Sequence, residues 1–126
     1  MKDLLDPSIE AYAQAHSIPE SDVCRRLRKE TFQSMECPQM IVGPLEGAFL
    51  KMMAQMVSAK RILEIGTFTG FSAQMMASAL PEDGELITCD IEESTSKIAK
   101  EFFVKTKLEN KIIQKNTKIR SLFTGY

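Results

Sequence analysis

The chain has 126 residues, 44% of them hydrophobic, and its 16 Lys and Arg face 17 Asp and Glu for a formal net charge of -1. That length supports one core, hence one domain or part of one, and the matched charges exclude an electrostatic draw toward nucleic acid or another polyanion. Cys24, Cys37 and Cys89 are scattered, with no C-x-x-C pair and a single histidine, His16, a pattern that predicts reduced thiols in a cytoplasmic chain rather than a disulfide framework or zinc site.

The opening MKDLLDPSIEAYAQ carries charges where a signal peptide needs an apolar run, and no window approaches the ~20 apolar residues of a membrane span, so no membrane partner is expected. Asp6 before Pro7 predicts a helix start, with Ile9, Tyr12 and Ala13 following. Ser17 and Glu20 have capping-box spacing and predict a second helix through Val23, Leu27 and Phe32. His16 and the basic run Arg25, Arg26, Arg28 and Lys29 read as solvated surface. After the loop CPQMIVGP, apolar residues Leu45, Phe49, Met52, Met53 and Met56 recur at helical spacing and predict a third helix whose methionines fill the core.

From residue 60 the grammar changes. RILEI, ELITC and KIIQK read as short strands, and FSAQMMASAL and STSKIAKEFFVKTK as the helices between them. Each strand-to-strand passage has room for a helical crossover and is too long for a hairpin, which predicts a parallel βαβαβ sheet. The chain shows no repeat or linker, so residues 1–126 read as a single domain. A helical region, 1–57, should pack onto the sheet of a βαβαβ core, 60–116.

The turn EIGTFTGFS joins the first strand to its helix, where open α/β sheets bind ligands. Gly66 is placed to take a positive φ and Gly70 to let backbone approach a ligand. Ser72 adds a hydroxyl to the first helical turn, whose free N–H groups favour an anionic end. Asp90 closes the second strand, where an acid accepts hydrogen bonds from ribose hydroxyls. The middle glycine of a dinucleotide fingerprint is replaced by Phe68, which weighs against a dinucleotide oxidoreductase and favours S-adenosylmethionine, a nucleoside ligand without phosphate. Glu64, inside an apolar strand, needs a partner; the ligand's ammonium or a backbone donor would serve, and the plainer alternative is that it points to solvent or caps a neighbouring loop.

The stretch GPLEGAFLKMMAQMVSAKRILEIGTFTGFSAQMMASALPEDGELITCDIEE resembles the caffeoyl-CoA and catechol type of S-adenosylmethionine-dependent O-methyltransferases, O-methyltransferase family 3, over about Val23 to Lys115. The resemblance implies a Rossmann-like class I methyltransferase fold with a parallel sheet and N-terminal helices. It also implies methyl transfer to a hydroxyl of a small, aromatic or catechol-like acceptor. It assigns cofactor contacts to Val42, Glu64, Gly66, Thr67 and Ser72, and the ribose to Asp90. Two departures are Thr117 and Ile119, where the family places small residues beside the adenine.

The family's divalent metal, magnesium or similar, is held by residues beyond the stretch that the resemblance covers, as is the lysine that helps deprotonate the acceptor. The family's sheet also has more strands than the three read here, so the chain reads as the N-terminal part of such an enzyme. A homodimer through the N-terminal helices is compatible with the family. The alternative is a non-catalytic, truncated form that binds cofactor weakly or serves as a partner subunit.

Overall fold

The structure, a computed structural model, describes residues 5–118 and 120–124. Helix α1 (Pro7–Ala15) starts where the sequence predicts: Asp6 accepts the Ser8 N–H at 2.9 Å, and Pro7 occupies a first-turn position that needs no N–H donor. The second helix starts later than the Ser17–Glu20 spacing predicts. Ser17 Oγ instead donates to the Ala13 carbonyl at 2.7 Å, and Ser21 caps α2 (Asp22–Ser34) by accepting the Cys24 N–H. Pro19 accounts for the shift, because it disfavours helical backbone at the residue before it.

A single 3-10 turn (Pro38–Met40) leads into α3 (Pro44–Met56). Here the expected core of methionines is overturned. Met52 is 46% exposed and Met56 71%, while Gly47 and Ala54 are the buried residues. The small residues face α4 (Phe71–Ala77) because they allow close approach: a Cβ on Gly47 would lie 2.6 Å from the Phe71 ring.

Strands β1 (Arg61–Ile65), β2 (Glu85–Asp90) and β3 (Ile112–Asn116) form one parallel sheet in the order β1-β2-β3, with Glu64 beside Thr88 and Asp90 beside Asn116. This is the parallel βαβαβ sheet the alternation predicts, and it agrees with the Rossmann-like fold that the resemblance implies. Helix α4 ends at Ala77, short of the predicted Leu80, again ahead of a proline, Pro81. Helix α5 (Glu93–Lys105) follows β2, and a short α6 (Arg120–Phe123), which the sequence reading does not contain, follows β3.

Two apolar clusters hold the elements. Ala73, Ala77, Leu86, Ala99, Phe103 and Ile112 join α4 and α5 to the sheet. Cys24, Leu27, Ile41, Phe71, Met75 and Phe102 join α2 to α4 and α5. Leu27 is fully buried, worth roughly 1.5–3 kcal/mol relative to an exposed leucine. The N-terminal helices therefore pack on helices rather than directly on the sheet, and α1, which buries none of its residues, lies against α3 alone among the major contacts. Leu63 and Ile65 of β1 remain exposed on the opposite sheet face.

Candidate functional site

Gly66 leaves β1 with φ +96° and donates its N–H to the Cys89 carbonyl at 2.8 Å. A Cβ at this position would meet nothing within 4 Å, so the backbone conformation requires glycine while the space above it is open. That space continues into a shallow cavity of about 380 Å³ lined by Gly66, Asp90, Ile91 and Thr117, among others. Ile91 is 68% exposed at this rim. A cleft of similar volume between α5 and β3, lined by Lys100, Phe103 and Gln114, contains neither the glycine turn nor Asp90.

Gly70, with φ +85°, has a different role from the expected close approach to a ligand. A Cβ there would lie 2.7 Å from the Phe103 ring and 3.0 Å from the Ala99 Cβ, so the glycine lets the turn close onto α5. Between the two glycines, Phe68 adopts φ +47°, rare for a bulky residue. Its ring packs on the second apolar cluster and its N–H donates to Asp90 Oδ2 at 2.8 Å.

Asp90 is half-buried and its carboxylate is held by backbone. Oδ1 accepts the Ile91 N–H at 2.7 Å and the Glu92 N–H at 3.0 Å, in addition to the Phe68 bond to Oδ2. Of the about four acceptor positions on a carboxylate, these three bonds leave one.

Glu64 finds its partners in the protein. Ser72 Oγ donates to Oε1, and Thr88 Oγ1 donates to Oε2 at 2.6 Å. Both donors are side-chain hydroxyls, not the backbone donor the sequence reading offered, and Glu64 is half-buried rather than turned out to solvent. Ser72, expected to point its hydroxyl at an anionic ligand, spends its proton on Glu64. Burial pushes the Glu64 carboxyl above its ordinary value; the two hydroxyl bonds oppose that shift, and the nearby Asp90 charge adds to it. Thr67, 2% exposed, is 2.7 Å from Thr88 through its hydroxyl. The structure thus brings Glu64, Thr67 and Ser72 into one network, with Gly66 and Asp90 at the cavity beside it.

Val42 lies in the loop before α3, and its side chain joins the cluster that receives Phe68. Its carbonyl accepts Arg28 Nη1 at 2.7 Å. Arg28 is thus no solvated member of a basic run: it is half-buried, its Nε is 3.3 Å from Glu20, and its guanidinium stands 5.4 Å from the Phe71 ring centre. Arg25, Arg26 and Lys29 do face solvent, and His16 is exposed and stacked on Tyr12. Thr117 is half-buried at the cavity, while Ile119 lies outside the described residues.

Sequence reasoning missed Thr88, Arg28 and the Phe68 N–H. Alternation along ELITCD places Thr88 on the same face as Asp90, but only the β1–β2 register puts it beside Glu64. Among the described residues no three His, Cys, Asp or Glu side chains converge on a common point. The Glu64 and Asp90 oxygens are also engaged by hydroxyl and backbone donors, so these residues do not fit a divalent metal. Among the described residues no helix is long and apolar enough to cross a membrane.

The sequence profile of the O-methyltransferase family matches residues 14–123. An Arabidopsis thaliana protein that carries the name caffeoyl-CoA O-methyltransferase is 38% identical over 94 residues, covering 74% of this chain and 40% of that protein. The mouse (Mus musculus) catechol O-methyltransferase domain-containing protein 1 is 32% identical over 101 residues, covering 80% of this chain and 38% of its own length. The chain therefore spans about two fifths of the length of the curated relatives it matches. Among solved structures, the O-methyltransferase TomG of Streptomyces achromogenes, in complex with S-adenosylmethionine, superposes with TM-score 0.85 at 27% identity, covering 91% of this chain and 51% of TomG.

Proposed function

Because the chain belongs to the O-methyltransferase family, we propose that it supplies the S-adenosylmethionine seat of an enzyme that methylates a hydroxyl of a small aromatic acceptor. Residues 1–126 are then the N-terminal part of one methyltransferase domain. The observation that carries this reading is the open cavity joining Gly66 to Asp90, in a chain whose solved relative TomG binds S-adenosylmethionine. The caffeoyl-CoA and catechol names of two relatives support the acceptor class.

In this reading the residues of the chain bind and orient. Asp90 has one acceptor position for a ribose hydroxyl, and Ile91 offers an apolar surface to the adenine. Gly66 admits the ligand backbone without a Cβ in the way, and Val42 borders the methionine end. Glu64, already holding two hydroxyl donors, keeps lone pairs that suit a positive group, the ammonium rather than the carboxylate of the methionine end. The reaction is an in-line displacement: the acceptor oxygen forms a bond to the methyl carbon, the carbon–sulfur bond breaks, and S-adenosylhomocysteine and a proton are released. Proximity and alignment are the contribution a cofactor seat makes to that step. Among the described residues none gives a seat to a divalent metal.

Calorimetric titration with S-adenosylhomocysteine tests the reading, on the chain and on Asp90→Ala. Binding that the substitution abolishes is expected. Absence of binding by a chain shown folded by circular dichroism overturns it.

A further inference from the structure

The hydroxyl network around Glu64 has a direction. Thr88 owns one hydroxyl proton and donates it to Glu64 Oε2 at 2.6 Å. The 2.7 Å contact between Thr88 and Thr67 is therefore one in which Thr67 donates. Ser72 donates to the other Glu64 oxygen. Three hydroxyl protons thus run toward one carboxylate, two of them directly and one through Thr88. Thr88 is fully buried and Thr67 is 2% exposed, so water does not replace either partner.

The charge next to this carboxylate is negative: Asp90, on β2, pushes the Glu64 carboxyl further up, and Glu64 in turn raises the Cys89 thiol, which Lys115 on β3 opposes. Lys118 lines the cavity with Gly66 and Asp90, yet among the described residues no Lys, Arg or His forms an ion pair with Glu64. A positive centre on a ligand would relieve both carboxylates, provided Glu64 is held ionised and in place.

We propose that Thr88 is a positioning residue for the methyl donor, its hydroxyl holding the Glu64 carboxylate in the orientation that receives the donor's ammonium group. The inference rests on the S-adenosylmethionine reading above and deepens it. Burial alone drives Glu64 toward its neutral form, and the Thr88 bond is one of the two that oppose this. Replacing the hydroxyl by a methyl group removes that opposition and leaves the Thr67 proton without its acceptor.

The test is titration of S-adenosylhomocysteine into the wild-type chain, Thr88→Val and Thr88→Ser, repeated from mildly acidic to mildly alkaline pH. Thr88→Val should weaken binding about tenfold at neutral pH, the scale of one hydrogen bond to a charged group. The acid limb of its affinity profile should move to higher pH. Thr88→Ser, which keeps the hydroxyl, should restore both. Superimposed profiles for the wild type and Thr88→Val, or a uniform loss at every pH, overturn the inference and leave the proposed function standing. No binding by the wild type removes both. Where Thr88→Val fails to fold, hydrogen exchange of the Thr88 hydroxyl in the wild type decides: a proton protected from solvent is expected, and one exchanging as in free threonine overturns the inference.

Discussion

Helices α3 and α4 pack against each other, yet α4 buries five of its seven residues and α3 only two of thirteen. Both carry phenylalanine and methionine. What separates them is where the small residues fall. In α3, Gly47 and Ala54 mark the contact stripe, which turns Phe49, Met52 and Met56 outward. In α4, Ala73 and Ala77 lie against the sheet and α5 while Phe71 and Met75 fill the second cluster. A helix stripe defined by large apolar side chains is thus a poorer guide to the core than one defined by the residues that permit close approach.

Substitutions on the two helices sharpen this contrast. Phe71→Ala should cost about 3–5 kcal/mol in denaturant unfolding, because the ring is 2% exposed and lies between Gly47 and Arg28. Gly47→Ala should cost about 1–3 kcal/mol, the penalty of forcing a methyl group against a packed ring. A Gly47→Ala chain as stable as the wild type would mean that α3 sits less tightly on α4 than the structure describes. At the other extreme, Met52→Gln should change stability by no more than about 0.5 kcal/mol, as expected for a half-exposed side chain with no special contact.

Glu64→Gln falls between these and has a pH signature. A carboxyl whose folded value is raised contributes stability that is fully present below its ordinary value of 4.5 and is lost as pH rises through the folded value. The glutamine cannot ionise, so its unfolding midpoint should lack this falling limb and exceed the wild type's at neutral pH. Its affinity for S-adenosylhomocysteine should fall at the same time. A substitution that lowered stability at neutral pH would mean that the Ser72 and Thr88 bonds outweigh the burial cost of the Glu64 charge.

The strand–helix alternation, the Asp6 cap and the glycine turn were legible because each depends on neighbours within a few residues. The position of the second cap was not, since Ser17 and Ser21 compete and the choice falls to Pro19 and to the end of α1. Gly70 was recognisable as a special backbone position, but its reason lies thirty residues away, in Phe103 and Ala99. Thr88 was invisible for the same cause: a threonine in a strand is ordinary until register sets it opposite a carboxylate. Arg28 looked like surface because its partners, Val42 and Phe71, are brought to it by other elements.

The inward ring of Phe68 bears on how a ligand would enter. With the ring fixed in the apolar cluster and the N–H tied to Asp90, the turn from Gly66 to Gly70 already has its shape before anything binds. Such preorganisation removes the ordering of a loop from the entropy of association. Binding here should therefore proceed in a single fast phase, without the slow conformational step that follows encounter when a mobile turn must first close.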